Sequence, residues 1–149
     1  MEIDYIAAAL AICANAHSNQ VDKAGTTYCL HPIAVMGNLK NGTEAEMVAA
    51  LLHDVVEDSH WTLDKLRTCG FSEDILTAVD ILTHKKEDHY DVYIKKIAMN
   101  KMATKVKIAD LTHNMDKSRL GVEDPEIHIR QAKYMRAKNY LTNDIMRRD

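Results

Sequence analysis

The chain has 149 residues, enough to bury one sizeable core, and an apolar fraction of 46% marks it as globular. A formal net charge of −3 argues against a nucleic-acid backbone as the main partner, because such domains carry a strong basic excess. No apolar run is long enough to span a bilayer and the opening MEIDYIAAAL lacks a basic signal region, so no membrane partner is expected. Cys13, Cys29 and Cys69 are odd in number and widely spaced, with no CxxC pair; reduced thiols in a cytoplasm are the simple reading.

Taken in order, Ile6, Leu10, Cys13 and His17 recur at helical spacing and predict a first helix over 3–19. His17 ends its apolar stripe and reads first as a core histidine. Residues 20–30 are irregular, broken by Gly25 with Thr26 and Thr27, and hold a single cation, Lys23, which ordinarily would be a solvated loop charge. His31-Pro32 opens a second helix with proline at its first position, and Ile33, Val35, Met36 and Leu39 give it an apolar side. Thr43 and Glu46 form a capping box for a helix expected to run unbroken to about Ser59.

Shorter helices follow. Thr62 caps one ending at Cys69 before Gly70, and Ser72 caps another with Ile75, Leu76, Val79 and Leu82 apolar. HKKED at 84–88 is a charged link before a helix marked by Tyr90, Tyr93, Ile94 and Ile97. The helix over 102–118 has an apolar stripe of Ile108, Leu111 and Met115 and a polar stripe of Lys107, Asp110, Asn114 and Lys117. Asp124-Pro125 starts the last helix, with Ile127, Gln131, Tyr134 and Met135 expected to face the core. No strand, Gly-rich phosphate loop or repeat is evident, so the expected fold is all-α, a single compact domain of about seven helices over 1–149.

The stretch at 49–58 organises the chain. Residues three or four apart on a helix share a face, so His53, Asp54, Glu57 and Asp58 would crowd one side while Leu51, Leu52, Val55 and Val56 take the other. A solvated helix face would mix in cations, yet no Lys or Arg occurs between Lys40 and Lys65. Carboxylates without a partner beside an apolar run want a cation. With His31 and Asp110, the His53-Asp54 pair offers N,N,O,O ligation suited to Mn²⁺, Fe²⁺ or Zn²⁺ more than Ca²⁺. The absence of thiolate ligands suggests a catalytic rather than a structural ion. Glu57 or Asp58 can then take a proton from water while the other orients it. Lys23 and Lys107 can meet phosphate charge, and Asn114 a sugar or the groups around the ion.

The order His31-Pro32, ALLHDVVED at 50–58 and VKIADLTHNM at 106–115 resembles the hydrolase domain of the RelA/SpoT family, within the HD phosphohydrolase superfamily. AHSNQ at 16–20, GTTYCLHP at 25–32, GFSEDILTAVDILTH at 70–84 and YDVYIKKI at 90–97 extend the likeness to a stand-alone small alarmone hydrolase. The resemblance implies a Mn²⁺-dependent 3′-pyrophosphohydrolase acting on ppGpp or pppGpp. It implies His31, His53, Asp54 and Asp110 as metal ligands, Glu57 and Asp58 as the water-activating pair, and Lys23, Tyr28 and Asn114 near the nucleotide. Asp22 and Leu111 stand where the family often has arginine, which points to altered base recognition and leaves an adenosine analogue open as substrate. Two other readings compete: an HD phosphohydrolase releasing phosphate from another nucleotide or NADPH, and a non-catalytic nucleotide sensor. Nothing in the sequence specifies an oligomeric state.

Overall fold

The computed structural model describes residues 2–116 and 126–148. The expected start of the last helix at Asp124-Pro125, and Lys117 and Ser118 of the preceding one, lie outside the described residues. In order, the helices are α1 (Tyr5–Ala16), α2 (Leu30–Gly37), α3 (Glu44–Leu52), α4 (Val55–Asp58), α5 (Leu63–Thr68), α6 (Glu73–Leu82), α7 (Tyr90–Ala98), α8 (Lys101–Asn114) and α9 (Ile127–Arg148). Among the described residues there is no strand, only one antiparallel bridge between Val21 and Thr27. No helix among them is long and apolar enough to cross a membrane. The all-α expectation holds.

Local signals set most boundaries. Asp4 caps α1 by accepting from the Ala7 N–H at 3.0 Å. Thr43 and Glu46 close the predicted capping box on α3, at 3.1 Å and 2.9 Å. Ser72 and Asn100 cap α6 and α8 by single side-chain bonds, accepting from the Ile75 and Ala103 amides. Each such side chain satisfies an amide that has no partner within the helix. Gly25 sits at φ +82°, a conformation that side-chain-bearing residues rarely adopt, and lets the 22–26 loop close.

α3 is the central rod. Val48, Ala49, Ala50, Leu51 and Leu52 are fully buried on all sides, because α1, α2, α6 and α8 surround the helix. Burying each leucine contributes about 1.5–3 kcal/mol, so the helix that leads into the His-Asp pair is held on every face. Glu46 adds a cross-link to α8 through Lys105 at 3.1 Å. Removing the cap with Thr43→Ala is expected to lower stability by about 0.5–2 kcal/mol. A shift in urea midpoint at unchanged slope would register it, and an unchanged midpoint would mean that burial alone sets this end.

The structure departs from the sequence reading in several places. It has nine helices among the described residues where about seven were expected, and α2 begins at Leu30, before Pro32. The helix expected to run from Thr43 to Ser59 breaks at His53 and Asp54, leaving α3 and the short α4. His53 Nδ1 takes the Ala50 carbonyl at 2.6 Å, an acceptor that an unbroken helix gives to the amide four residues on. Ile33 is exposed, and α2 buries His31, Pro32 and Val35 instead. Met135 also faces outward, and Ala137 and Leu141 anchor α9.

Candidate metal centre and active site

Three segments deliver the four predicted ligands to one place. His31 comes from the first turn of α2, His53 and Asp54 from the break between α3 and α4, and Asp110 from the last turns of α8. His31, His53 and Asp110 are buried. His31 Nε2 lies 2.7 Å from Asp110 Oδ1, and His53 Nε2 lies 3.3 Å from the same oxygen and 3.1 Å from Asp54 Oδ2. Ligand atoms of His31, His53 and Asp54 all fall within 4.8 Å of one another.

The donor set fits a cation. A carbonyl only accepts, so His53 Nδ1 must carry a proton to bond Ala50. In the neutral ring Nε2 is then a bare lone pair, facing two carboxylate oxygens. Neither contact has the alignment of a hydrogen bond. Three electron-rich atoms turned on one another need positive charge between them. Burial opposes charge on His53, but Asp54 and Asp110 outweigh it and raise its pKa well above the usual imidazole value. Burial likewise opposes charge on Asp54, yet His53 and the Tyr28 hydroxyl hold its pKa down at about 2.

Neighbouring groups aim these ligands. Lys107 donates to Asp110 Oδ2 at 2.9 Å, and Asn114 donates to Oδ1 at 3.2 Å. The Lys107 side chain is only 12% exposed, so the expected phosphate-binding lysine is instead spent on orienting Asp110. Although burial disfavours it, the Asp110 charge keeps Lys107 protonated, and Lys107 in turn keeps Asp110 ionised. The polar stripe of α8 is therefore not a solvated face. Tyr28 donates to Asp54 Oδ2 at 2.6 Å, and burial holds its hydroxyl protonated as a donor. Gln20 hydrogen-bonds the ring of His17 and donates to the backbone oxygen of Asp58, tying the end of α1 to α4. His17 is thus a satisfied core histidine on its Nδ1 side.

Asp54, Glu57 and Asp58 form a second acidic cluster at the rim, with ligand atoms within 4.8 Å. Glu57 Oε1 accepts from the His84 N–H at 2.7 Å. The His84 ring stacks on Tyr93 at 4.5 Å, whose hydroxyl donates to the Leu82 carbonyl. The charged link at 84–88 thus holds Glu57 in place. Asp58 has its pKa raised to about 6, first by partial desolvation and then by the charges of Asp54 and Glu57. That value suits a group that exchanges protons near neutral pH.

Beside the centre lies a cleft of about 300 Å³ lined by Val21, Asp22, Lys23, Tyr28, Asn114, Arg130 and Tyr134. Lys23, Tyr28 and Asn114, named from the resemblance as lying near the nucleotide, line this one cleft. Arg130 was not singled out from sequence, and Tyr134 was named only as a core-facing residue of the last helix. Their spacing of four residues places them on one helical face, but nothing local says which face of α9 meets the loop at 21–28. Asp22 plays a local part: its Oδ1 accepts from the Ala24 and Thr26 amides, each at 2.9 Å, and shapes the loop.

No family model matches the chain. Curated relatives do. A guanosine-3′,5′-bis(diphosphate) 3′-pyrophosphohydrolase of Haemophilus influenzae is 34% identical over 82% of this chain and 20% of its own length. A probable enzyme of the same name from Synechocystis is 32% identical over 66% of this chain and 15% of its own, and a GTP pyrophosphokinase of Myxococcus xanthus is 32% identical over 76% and 17%. The chain thus spans about a fifth or less of these relatives. A solved structure described as a metazoan ortholog of SpoT that hydrolyzes ppGpp aligns over 97% of this chain and 86% of its own, with a TM-score of 0.78 and 23% identity. That likeness is one of fold, and the resemblance to RelA/SpoT-type hydrolases read from the motifs stands.

Proposed function

From this likeness to RelA/SpoT-type hydrolases, we propose that the chain is a single hydrolase domain, a metal-dependent 3′-pyrophosphohydrolase that cleaves (p)ppGpp or a closely related nucleotide to the nucleoside 5′-phosphate form plus pyrophosphate. The observation that carries the reading is the convergence of His31, His53, Asp54 and Asp110, with no hydrogen bond made by His53 Nε2, beside a second carboxylate pair at the rim and a cleft lined by Lys23 and Arg130. His31, His53, Asp54 and Asp110 would hold one divalent ion; the mixed imidazole and carboxylate donors suit Mn²⁺, Fe²⁺ or Zn²⁺, and the family resemblance favours Mn²⁺ among them. Such an ion supplies Lewis acidity, which acidifies water and screens phosphate charge.

The protein's own groups do the rest. Asp58 accepts the proton of the attacking water, and Glu57, fixed by the His84 amide, orients that water. Water adds to the phosphorus of the 3′-diphosphate nearest the sugar. The bond from that phosphorus to the 3′-oxygen breaks, and that oxygen takes a proton to become the free hydroxyl. Lys23 and Arg130 meet phosphate charge, Tyr28 and Tyr134 supply aromatic walls for a base or ribose, and Asn114 couples the cleft to Asp110. The three free thiols fit a reducing compartment such as the cytoplasm.

The test is a panel of ppGpp, pppGpp, their adenosine analogues and NADPH with Mn²⁺-loaded protein, with products separated by chromatography. Pyrophosphate from a 3′-diphosphorylated nucleotide supports the proposal. Orthophosphate from NADPH or another nucleotide would move the protein to the phosphatase reading, and tight binding without turnover to the sensor reading. Arg130→Ala is expected to raise KM more than it lowers kcat, because a cation that meets phosphate in both ground and transition states contributes uniform binding. An unchanged KM would take Arg130 out of the cleft's role.

A further inference from the structure

His31 makes a contact that the mechanism leaves unused. Its Nδ1 lies 2.7 Å from Nδ1 of His113, while its Nε2 lies 2.7 Å from Asp110 Oδ1. The ring centroids are 4.9 Å apart and the planes differ by only 20°. With nitrogens that close and centroids that far, the rings meet edge to edge, nitrogen to nitrogen. One proton lies between the two nitrogens, because two lone pairs repel and two N–H groups clash.

When His31 gives its Nε2 lone pair to a metal, its proton sits on Nδ1 and points at His113. His113 must then accept on Nδ1 and carry its own proton on Nε2.

We infer that His113 is a positioning residue for the metal: its Nδ1, 2.7 Å behind the ring of ligand His31, accepts from the His31 Nδ1–H and so holds that ring with Nε2 turned to the ion. The inference rests on the metal reading above and deepens it. The sequence reading passed over His113, which sits one residue before Asn114 and matches no metal-ligand spacing by itself.

Two variants separate acceptor from filler. His113→Phe keeps a ring of similar size and removes the acceptor, whereas His113→Asn places a carbonyl oxygen near the former Nδ1. Zn²⁺ and Mn²⁺ affinities are measured by competition against a chelating dye. Loss of a partner behind a metal-bound histidine typically weakens binding about 10–100-fold. That loss is expected for His113→Phe, with His113→Asn recovering most of the affinity. In the diamagnetic zinc form, nitrogen-15 spectra of the wild-type histidines should show His113 protonated on Nε2 and His31 on Nδ1. Equal affinity for wild type and a folded His113→Phe overturns the inference and leaves the metal site standing. So does a His113 protonated on Nδ1 in the zinc form, which decides the matter alone if His113→Phe does not fold. A wild type that binds neither ion overturns both.

Discussion

His53→Ala and Asp110→Ala are each expected to strip the protein of bound metal and, with it, of turnover. His53 Nε2 is poised between Asp54 and Asp110 with nothing else to bond, and Asp110 Oδ1 is the atom on which both imidazoles converge. Removing either leaves three donors and an unbalanced cluster. Asp110→Ala has a second cost. It strands the buried Lys107 ammonium, whose partner is Asp110 Oδ2 at 2.9 Å. Breaking a buried pair on one side typically costs about 3–5 kcal/mol. His53→Ala in turn strands the Asp54 carboxylate, which His53 holds ionised. The two variants should therefore both fall below stoichiometric metal by elemental analysis, and both should lose Tm. Retention of a full equivalent of metal by both variants would remove the site.

Glu57→Gln and Asp58→Asn are each expected to keep metal and fold yet lose turnover. A carboxylate that moves a proton in the rate-determining step contributes on the order of 10²–10⁴-fold. Gln retains an oxygen to accept the His84 N–H, so Glu57→Gln preserves the anchoring of the 84–88 link and removes only charge. Asp58 is tied to the fold through its backbone oxygen, which accepts from Gln20. Its side chain can change without releasing α4. Both residues lie at the exposed rim, and neither change opens a cavity. kcat measured at saturating ppGpp and Mn²⁺, with metal content determined on the same samples, separates chemistry from loading. A wild-type kcat in Glu57→Gln would make it a surface acid. The same result in Asp58→Asn would place the proton acceptor elsewhere.

What could be read from the chain alone was local chemistry. Caps such as Thr43 with Glu46 act within one helical turn, so their pattern is visible in four letters and the structure reproduces it. His53 and Asp54 were legible for a related reason: an imidazole and carboxylates without nearby cations, set beside an apolar run, conflict with burial unless a cation resolves them. The direction in which α8 and α9 face was not legible. His31 meets Asp110 across 79 residues of sequence and His113 across 82, and no local pattern encodes such a meeting. Lys107 looked like a solvated or phosphate-binding charge until packing placed its ammonium on Asp110 and near the Tyr93 ring. Arg130 and Tyr134 joined the cleft only because Ala137 and Leu141 dock α9 with that face turned toward the loop at 21–28. The break at His53 has the same origin. Periodicity favoured one continuous helix, but burial of α3 on every side and the pull of His53 on the Ala50 carbonyl turned the chain there, and that turn aims both His53 and Asp54 at the ligands from α2 and α8.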